Sequence, residues 1–536
     1  KVMEIAYMAL GTIGFVTEHI SLLLATLFLM GLHSTFFGPI KYSILPELIK
    51  NDELVAGNAY VELGTFMSIL LGTILGGALI QIPELGPWIT GGTTIAIAAL
   101  GLWTGSKLIP LKPSNPELKV NWSPLGPTWE IIKMSMKTRS VFLSVMGISW
   151  FWFLGAAFLS LLPPFCKEFL QSSESLVTFF LALFSVGVGL GSLLCERLSF
   201  RKLELGLVPV GSIGISFFLI DLYFASHHHI DSSGAALTVS DFLQSFTGWR
   251  IVFDLVFFSM FSGFFIVPLY TLIQQRAEPG TGSRIIAANN IINAFFMVLS
   301  SVGLVALYAL NFTIPQIFLI LSLLNVAVAI YIYTVIPEFL FRFLCWGLAS
   351  ILYRLKVVDG ERIPEEGPAL LICNHVSFID WLIVASATQR PIRFVMHKDF
   401  MNIPLAGFLF RDAKVIPIAG AREDAEIMNE AFERIAKELR EGELVCIFPE
   451  GAITKTGEVS PFKPGVVRIL KETPVPVIPM ALGGLWGSFF SRKHGSAMTK
   501  PFSRFWSRVS LKVGESLQPH EATVALLEAR VKALAD

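Results

Sequence analysis

The chain has 536 residues, of which 53% are hydrophobic and only 15% are charged, and its mean hydropathy is +0.65. Soluble globular proteins carry about 25% charged residues, so this composition excludes a wholly water-soluble protein and a disordered one. Basic and acidic residues both number 41, which gives no indication of a nucleic-acid partner. Residues 354–536 hold 24 basic and 22 acidic side chains, more than half of the total. We therefore predict a membrane-embedded region followed by a water-soluble one.

The first part of the chain contains ten apolar runs, each near the length of about 20 residues that a spanning helix needs. A segment rich in proline and lysine, 110–140, separates four runs from six. Six plus six helices around a long central loop are typical of one transporter architecture, so we expect two helices to be missing before Lys1. The runs lie near 2–17, 20–40, 63–82, 88–109, 141–165, 176–195, 203–226, 251–273, 285–310 and 314–336.

Lysine and arginine accumulate in alternate loops, which is typical of the cytoplasmic side of a membrane protein. The intervening loops hold little more than Lys167 and Arg250. This pattern predicts an integral protein of the cell (inner) membrane, with the central loop and everything after the last helix in the cytoplasm. A histidine run at 227–229 would face outward, where a solvated loop is favoured over a metal site. The basic loops contain Lys41 and Lys50; Lys107, Lys112, Lys119, Lys133, Lys137 and Arg139; Arg197, Arg201 and Lys202; and Arg276 and Arg284.

Three polar side chains, Lys41, Asn58 and Glu62, lie inside or at the edges of the predicted spans. Asn58 and Glu62 are four residues apart, so one helical face carries both. Gly38 and Pro39 can break the helix just before Lys41. Charges inside a membrane are costly and often mark a substrate path, which makes the three residues candidates for a transport path. The alternative is that Lys41 extends to the interface and Glu62 pairs with a neighbouring helix for structure alone.

Four stretches of this region are distinctive: FFGPIKYSILPEL at 36–48, GNAYVE at 57–62, LLG at 70–72 and GFFIVPL at 263–269. Together they resemble the lysophospholipid transporters of the major facilitator superfamily. The resemblance covers about residues 1–335 and implies a polytopic all-α transporter with ten of its twelve helices present.

After the last span, residues 337–355 are apolar and aromatic with two arginines, which predicts a helix in the membrane interface or a continuation of the span. From 356 to 536, short β-branched runs alternate with helical patterns, which favours an α/β domain with a largely parallel or mixed sheet. The domains are therefore expected at 1–336 and 356–536, joined by 337–355. Strands are predicted at 369–373, 392–396, 414–418, 444–448, 475–480 and 509–513, and helices at 378–387 and 423–440.

The first predicted strand ends at a histidine and an aspartate five positions apart, His375 and Asp380. Serine followed three residues later by an acid predicts a helix start, with Ser377 as its cap. His375 would then lie in the turn before the helix and could face Asp380. A carboxylate that binds one imidazole nitrogen leaves the other nitrogen free as a base. The alternative is a capping box beside a histidine with no role.

A second candidate element follows the strand at 444–448, which ends in Pro449, Glu450 and Gly451. A glycine turn after a strand can offer backbone N–H groups to an anion, and Lys463 is close enough in sequence to help. The alternative for this element is an ordinary surface turn.

In this order and spacing, NHVSFID at 374–380, FPEG at 448–451 and VPVIP at 475–479 resemble the glycerolipid acyltransferases, a family that includes lysophosphatidate acyltransferases. The resemblance implies that His375 deprotonates a glycerol hydroxyl for attack on an acyl thioester and that Asp380 orients it. It further implies that Glu450 and Gly451 help to hold the acceptor, while Asn374 and Ser377 support the motif.

The sequence departs from that family at two places. Ala452 stands where the family often has an arginine, and the block at 416–420 lacks the family's arginine on the strand, with Arg422 following later. Arg422 and Lys463 are therefore our candidates to contact the phosphate of the acceptor.

Together the two resemblances predict a transporter that delivers lysophospholipid to the cytoplasmic leaflet, fused to an acyltransferase that re-acylates it. The chain also resembles bifunctional 2-acylglycerophosphoethanolamine acyltransferases. Those proteins carry a further domain that acylates acyl carrier protein, and we expect this domain to be missing here. Alternatives are a biosynthetic lysophosphatidate acyltransferase with a non-transporting anchor, and a transporter with a silent partner domain. We expect no bound metal or cofactor, an acyl thioester of acyl carrier protein or coenzyme A as co-substrate, and no nucleic acid. Mixed basic and aromatic residues at 473–514 predict contact with membrane lipids.

Overall fold

The computed structural model forms two compact units, Lys1–Tyr331 and Ile332–Asp536. The histidine run at 227–229 and the basic residues Lys112, Lys119, Arg201, Lys500 and Arg504 lie outside the residues that it describes. The described residues are 1–108, 123, 125–199, 202–226, 236–278, 280–404, 406–493, 495–499 and 505–536.

The first unit is helical, and each of the ten apolar runs forms a helix. In chain order the helices are α1 (Val2–Val16), α2 (Ile20–Ser43), α3 (Leu45–Leu48), α4 (Leu54–Ile80), α5 (Gly86–Gly105), α6 (Leu125–Met136), α7 (Arg139–Pro164), α8 (Glu174–Leu198), α9 (Leu207–Ser226), α10 (Val239–Leu243), α11 (Phe246–Arg276), α12 (Gly282–Ala309) and α13 (Ile314–Val335).

Eight of the helices in the described ranges are long and apolar enough to cross a membrane: α2, α4, α7, α8, α9, α11, α12 and α13. Two predicted spans fall short of that standard. Helix α1 has only 15 residues, and the 20 residues of α5 include many glycines and threonines that lower its hydropathy.

The expected break in α2 before Lys41 is wrong, because the helix continues through Pro39 to Ser43. Gly38 has a different role. A Cβ atom at this position would lie 2.8 Å from the side-chain nitrogen of Asn290, so glycine lets α2 and α12 approach closely.

The central segment, predicted at 110–140, also differs from a plain loop, because its end folds into α6.

The second unit is built on a seven-stranded sheet with the order β1-β7-β6-β2-β5-β3-β4. All neighbouring strands are parallel except β6 and β7, which confirms the predicted mixed α/β sheet. The first strand was not predicted, because it directly continues an apolar helical segment. The strands are β1 (Tyr353–Val358), β2 (Ala369–Cys373), β3 (Ile392–His397), β4 (Ile416–Ile418), β5 (Leu444–Ile447), β6 (Val477–Gly483) and β7 (Ser507–Val513).

Helices cover both faces of this sheet. Side chains alternate along β2, so that Leu371 and Cys373 belong to one core while Leu370 and Ile372 belong to the other. The first core is closed by α14 (Pro337–Leu352), α15 (Asp380–Ala385) and α16 (Ala406–Asp412). The second is closed by α17 (Ala425–Arg440), α18 (Gly465–Glu472) and α19 (Val524–Ala535). Because both faces are buried at the centre of the sheet, β2, β5 and β6 are apolar throughout.

Helix α14 is separate from α13, because Ile336 has a non-helical backbone and Pro337 starts the new helix. Cys345 and Ala349 pack into the first core. The opposite face exposes Leu344, Leu348 and Ile351, which follow a helical spacing. The segment is therefore an amphipathic helix of the second unit and not a continuation of the last span.

A buried arginine connects α14 with the rest of this unit. The side chain of Arg393 on β3 is 1% exposed and pairs with three carboxylates. Its nitrogens lie 2.9 Å from Glu438, 3.2 Å from Glu443 and 3.6 Å from Glu338 on α14. One cation thus neutralises acids from two helices and a loop.

We expect Arg393→Ala to destabilise the second unit by about 3–5 kcal/mol, because it leaves three carboxylates without their shared cation. Differential scanning calorimetry of the full chain in detergent should show a lower unfolding temperature. Arg434→Ala, at an exposed position on α17, is the control and should leave that temperature unchanged. Equal unfolding temperatures for the two variants would contradict the role given to Arg393.

Candidate active site and buried polar network

The predicted site residues of the second unit meet where two central strands end. The connection from β2 to β3 passes over one face of the sheet through α15, and that from β5 to β6 passes over the other through α18. Neighbouring parallel strands whose connections leave in opposite directions open a crevice at their carboxyl ends, where open α/β sheets bind ligands. His375 follows β2 and Glu450 follows β5, so both lie at this crevice.

His375 and Asp380 form the expected pair. Nδ1 of His375 lies 2.8 Å from Oδ2 of Asp380. The same oxygen accepts the backbone N–H groups of Val376 at 2.6 Å and Ser377 at 2.9 Å, and the Ser377 hydroxyl donates to Oδ1 at 2.6 Å. A carboxylate with so many donors is an acceptor towards the imidazole, so Nδ1 carries the proton and Nε2 is left free to act as a base.

The accessibility of the pair suits that chemistry. The Asp380 side chain is fully buried, whereas the His375 side chain is 23% exposed. The ring of His375 stacks on Phe448 with centroids 4.5 Å apart. The orienting group is therefore shielded from water while the reactive nitrogen stays reachable. The part played by Phe448 was missed, although the residue belongs to the FPEG block.

The prediction that Ser377 caps the helix is wrong in detail. Helix α15 begins at Asp380, its cap is Ile379, and no side chain caps it. The Ser377 hydroxyl instead donates to Asp380, because a charged oxygen is a stronger acceptor than the competing groups nearby. Ser377 thus fixes the carboxylate that orients His375.

Glu450 binds backbone on both sides of the crevice. Its Oε1 accepts the N–H of His375 at 2.7 Å, and its Oε2 accepts the N–H of Ser460 at 2.8 Å. Burial raises the pKa of the Glu450 carboxyl above its usual value, although these two N–H groups oppose the shift. Glu450 therefore connects the turn after β5 to the turn that carries His375.

Asn374 extends the pairing of β2 with β6 by one residue. Its side-chain amide accepts from the N–H of Leu482 at 2.7 Å and donates to the carbonyl of Leu482 at 3.1 Å. The residue before His375 is thereby fixed to the sheet. Cys373 and Cys446 lie beneath, and burial raises the pKa of both thiols, so neither is a nucleophile at neutral pH.

Of the two candidate phosphate contacts, Lys463 lies at the site. Gly451 has a φ of +71°, and a Cβ atom there would lie 2.3 Å from Nζ of Lys463, so the lysine side chain passes directly over the glycine. Arg422 is exposed in the loop after β4, where its neighbour Glu423 pairs with His397 at the end of β3. Among the described residues, no contact brings Arg422 to the crevice.

In the helical unit, Asn58 and Glu62 are both fully buried on α4. Oε1 of Glu62 accepts the hydroxyl of Tyr42 on α2 at 2.6 Å. Nζ of the half-buried Lys41 donates to Thr65 at 2.8 Å and lies 4.6 Å from the centre of the Tyr42 ring. The structure thus brings Lys41 and Glu62 together around Tyr42.

The same network reaches α11. Asn58 donates to the side-chain oxygens of Gln274 at 2.5 Å and Thr271 at 3.1 Å, and Gln274 donates to the carbonyl of Tyr42 at 3.0 Å. The rings of Tyr42 and Tyr270 stack 4.1 Å apart. These partners were not predicted, although the four-residue spacing of Tyr270 and Gln274 in an apolar helix was a usable signal. Helices from both sides of the central segment therefore share one buried polar cluster.

Two family profiles match the sequence. The Major Facilitator Superfamily matches residues 5–301, more than half of the chain, and the family described as Acyltransferase matches residues 354–483.

The relatives fall into two groups. The protein "Lysophospholipid transporter LplT" of Escherichia fergusonii is 26% identical over 276 residues, which are 49% of this chain and 61% of the relative. The "1-acyl-sn-glycerol-3-phosphate acyltransferase BAT2, chloroplastic" of Brassica napus is 30% identical over 142 residues, 26% of this chain and 40% of the relative. The chain thus spans about three fifths of the first relative and two fifths of the second.

Two solved structures are similar to parts of the chain. The 1-acyl-sn-glycerophosphate acyltransferase PlsC from Thermotoga maritima has a TM-score of 0.30 at 19% identity and covers 37% of this chain and 78% of its own. The transporter FucP in its outward conformation has a TM-score of 0.45 at 13% identity and covers 62% of this chain and 80% of its own. By its matched profiles and relatives, the chain belongs to the Major Facilitator Superfamily and carries an acyltransferase domain after its helical unit.

Proposed function

We propose that this protein moves a lysophospholipid across the cell membrane and transfers an acyl group from a thioester to its free glycerol hydroxyl. The observation that carries the proposal is the His375–Asp380 pair, placed at a crevice of the sheet in a chain whose helical unit resembles lysophospholipid transporters. An intact pair argues against a silent partner domain. Transport alone would require none of the hydrogen bonds that hold Asp380.

The reaction follows from the geometry of the pair. Asp380 binds Nδ1–H of His375, and Nε2 takes the proton of the glycerol hydroxyl as its oxygen attacks the thioester carbonyl. The resulting tetrahedral intermediate expels the thiolate, which takes the proton back from the imidazolium. An ester and a free thiol are formed, and His375 returns to its starting state. Asp380 stays ionised and stabilises the imidazolium during both steps.

The acceptor is held near Gly451 and Lys463. The N–H of Gly451 already donates to the carbonyl of Phe448 at 2.9 Å, so the ammonium group of Lys463 beside it is the group that attracts a phosphate. The family's arginine is replaced by Ala452, which leaves fewer cations here than a terminal phosphate would favour. A phosphodiester carries less charge, so we propose a lysophospholipid with a headgroup, and lysophosphatidylethanolamine first.

A second candidate function is biosynthetic acylation of lysophosphatidate with the helical unit as an anchor. It is favoured by the name of the Brassica napus relative, a 1-acyl-sn-glycerol-3-phosphate acyltransferase. Against it stands the buried network of Lys41, Asn58 and Glu62, since charged side chains are costly in an anchor that carries nothing.

We propose that the acyltransferase lies on the cytoplasmic side, where acyl carrier protein or acyl-coenzyme A would supply the thioester, and the pattern of loop charges supports this orientation. The exposed apolar face of α14 supports contact with that leaflet. Phe505 and Trp506 are also exposed, and the N–H of Trp506 donates to the carbonyl of Leu352 at the end of α14. Aromatic side chains beside such a helix suit the membrane–water interface.

We expect His375→Ala to lower acyl transfer by about 10²–10⁴, because it removes the base, while uptake of lysophospholipid into proteoliposomes is unchanged. Lys41→Ala and Glu62→Ala are the matched counterparts. They should weaken uptake but leave unchanged the acylation of lipid that is supplied on the side of the membrane where the acyltransferase domain lies. Both activities are measured on the same preparations. Near-normal acylation by His375→Ala would refute the catalytic assignment, and normal uptake by both counterparts would make their side chains structural.

Gly451→Ala should reduce acyl transfer, mainly through a higher KM for the acceptor. The new methyl group would displace the Lys463 side chain, and alanine at positive φ costs about 1 kcal/mol. Gly420→Ala is the control, because no atom lies within 4 Å of its added Cβ. An unchanged KM in Gly451→Ala would place the acceptor elsewhere.

The acceptor is tested with a panel of lysolipids at matched surface concentration, with the full chain in mixed micelles and each thioester donor in turn. We expect lysophosphatidylethanolamine to be acylated faster than lysophosphatidate, because Ala452 replaces the family's arginine near Lys463 and a phosphodiester needs fewer cations. A clear preference for lysophosphatidate would favour the biosynthetic function instead.

A further inference from the structure

The helical unit contains a second group of charges, apart from the network around Glu62. It consists of Asp221 on α9 and of Arg250 and Asp254 on α11. Nε of Arg250 donates to Oδ2 of Asp221 at 2.9 Å, and a terminal nitrogen lies 2.5 Å from Oδ1, so the pair is bidentate. The charge pattern of the sequence predicts Arg250 in a loop, and neither aspartate was predicted to have a role.

Asp254 lies one turn after Arg250 and is 2% exposed. Its Oδ2 is buried and has no hydrogen-bond partner among the described residues. Its carboxyl group lies within hydrogen-bonding reach of the Asp221 carboxyl. A buried carboxyl group thus lies beside another carboxyl group, which already binds the arginine.

The charges of this group do not balance without a further cation. Two ionised carboxylates and one guanidinium would leave a net negative charge between apolar helices, which is costly. Two carboxyl groups in contact cannot both ionise easily, and a shared proton removes the repulsion and supplies the missing donor. Helices α4, α7, α8, α9, α10 and α12 all pack on α11. Within the described ranges, Asp221 and Arg250 are the charged groups that interact electrostatically with Asp254.

The group is also accessible from one side. The side chains of Asp221 and Arg250 are 30% and 31% exposed, whereas Asp254 lies behind them. Asp221 is five residues before the end of α9 at Ser226, which is about 8 Å along the helix. Phe246 and Trp249 at the start of α11 are exposed, as aromatic side chains near a membrane surface often are. A proton can therefore reach Asp254 through the exposed pair.

We propose that Asp221, Arg250 and Asp254 form a proton-binding site, in which the two carboxyl groups share one dissociable proton next to the guanidinium. Its consequence for transport rests on the proposed function: the proton would bind and leave as the helical unit changes state. A proton fits better than a sodium ion, because two carboxyl groups, one of them already paired with arginine, offer few oxygens to a metal cation.

The site is tested without transport by infrared spectroscopy of the full chain in detergent, recorded across pH. The carbonyl band of a protonated carboxylic acid should appear near neutral pH in the wild type and disappear in Asp254→Asn. Difference spectra between wild type and variant cancel any contribution from the buried Glu62. Glu278→Gln, which removes an exposed acid just after α11, should give no such difference.

A second variant guards against misfolding of the first. In Asp221→Asn, Asp254 becomes the sole carboxylate beside Arg250, so the band should again be lost at neutral pH. A wild type without the band at any pH where it is folded would overturn the proposal. So would a band that both variants retain, or one that sodium ions remove at constant pH.

Measurements of lysophospholipid uptake by proteoliposomes then test whether the proton takes part in transport. Wild-type uptake of lysophospholipid should change with pH between 5.5 and 8.5, roughly following the titration of the band, whereas uptake by Asp254→Asn should not. A wild type that shows the band but no uptake at any pH would count against the proposed function and leave the proton site standing. Equal pH dependence of uptake in wild type and Asp254→Asn would separate the site from transport.

Discussion

The catalytic geometry depends on the buried carboxylate of Asp380. A charge removed from water is costly unless hydrogen bonds replace its hydration. Here two backbone N–H groups, the Ser377 hydroxyl and the imidazole of His375 replace it. The same bonds fix the turn between β2 and α15, so the stability of the turn and the orientation of the base have one cause. Loss of any of these donors would leave a carboxylate oxygen of Asp380 with fewer hydrogen bonds inside an apolar core.

Much of the second unit was predictable from the sequence, because its strands are short apolar runs that end in chemically distinctive residues. The pairing of His375 with Asp380 followed from their spacing at a strand end. What could not be predicted depended on contacts between distant segments. Lys463 and Arg422 looked equivalent as cations near strand ends, and only the folded chain shows that Lys463 lies over Gly451 while Arg422 sits in the loop after the edge strand β4. Ser377 looked like a cap because the pattern ignores how strongly a nearby carboxylate competes for its hydroxyl.

The helical unit was predictable in a different way. Apolar runs indicated its helices, because a backbone in lipid must satisfy its own hydrogen bonds. The polar partners within it were much harder to predict. Lys41 and Glu62 stood out as charges, but Tyr42, Tyr270 and Gln274 are ordinary residues in the sequence and gain their role only from packing. Arg250 and Asp254 show the same limit, since their partner Asp221 comes from a different helix.

The order of strands in the sheet also affects how this unit can be made. Strand β1 is an edge strand, and it pairs with β7, about 150 residues further along the chain. During synthesis, β1 and α14 therefore emerge long before the strand that completes their layer exists. Until β7 is synthesised, α14 has only part of its core to cover, and its apolar surface is exposed next to a newly inserted membrane span. The layer that contains α14 therefore cannot be completed before β7 is made, and the second core cannot be completed before α19, whatever the folding rate of the earlier segments.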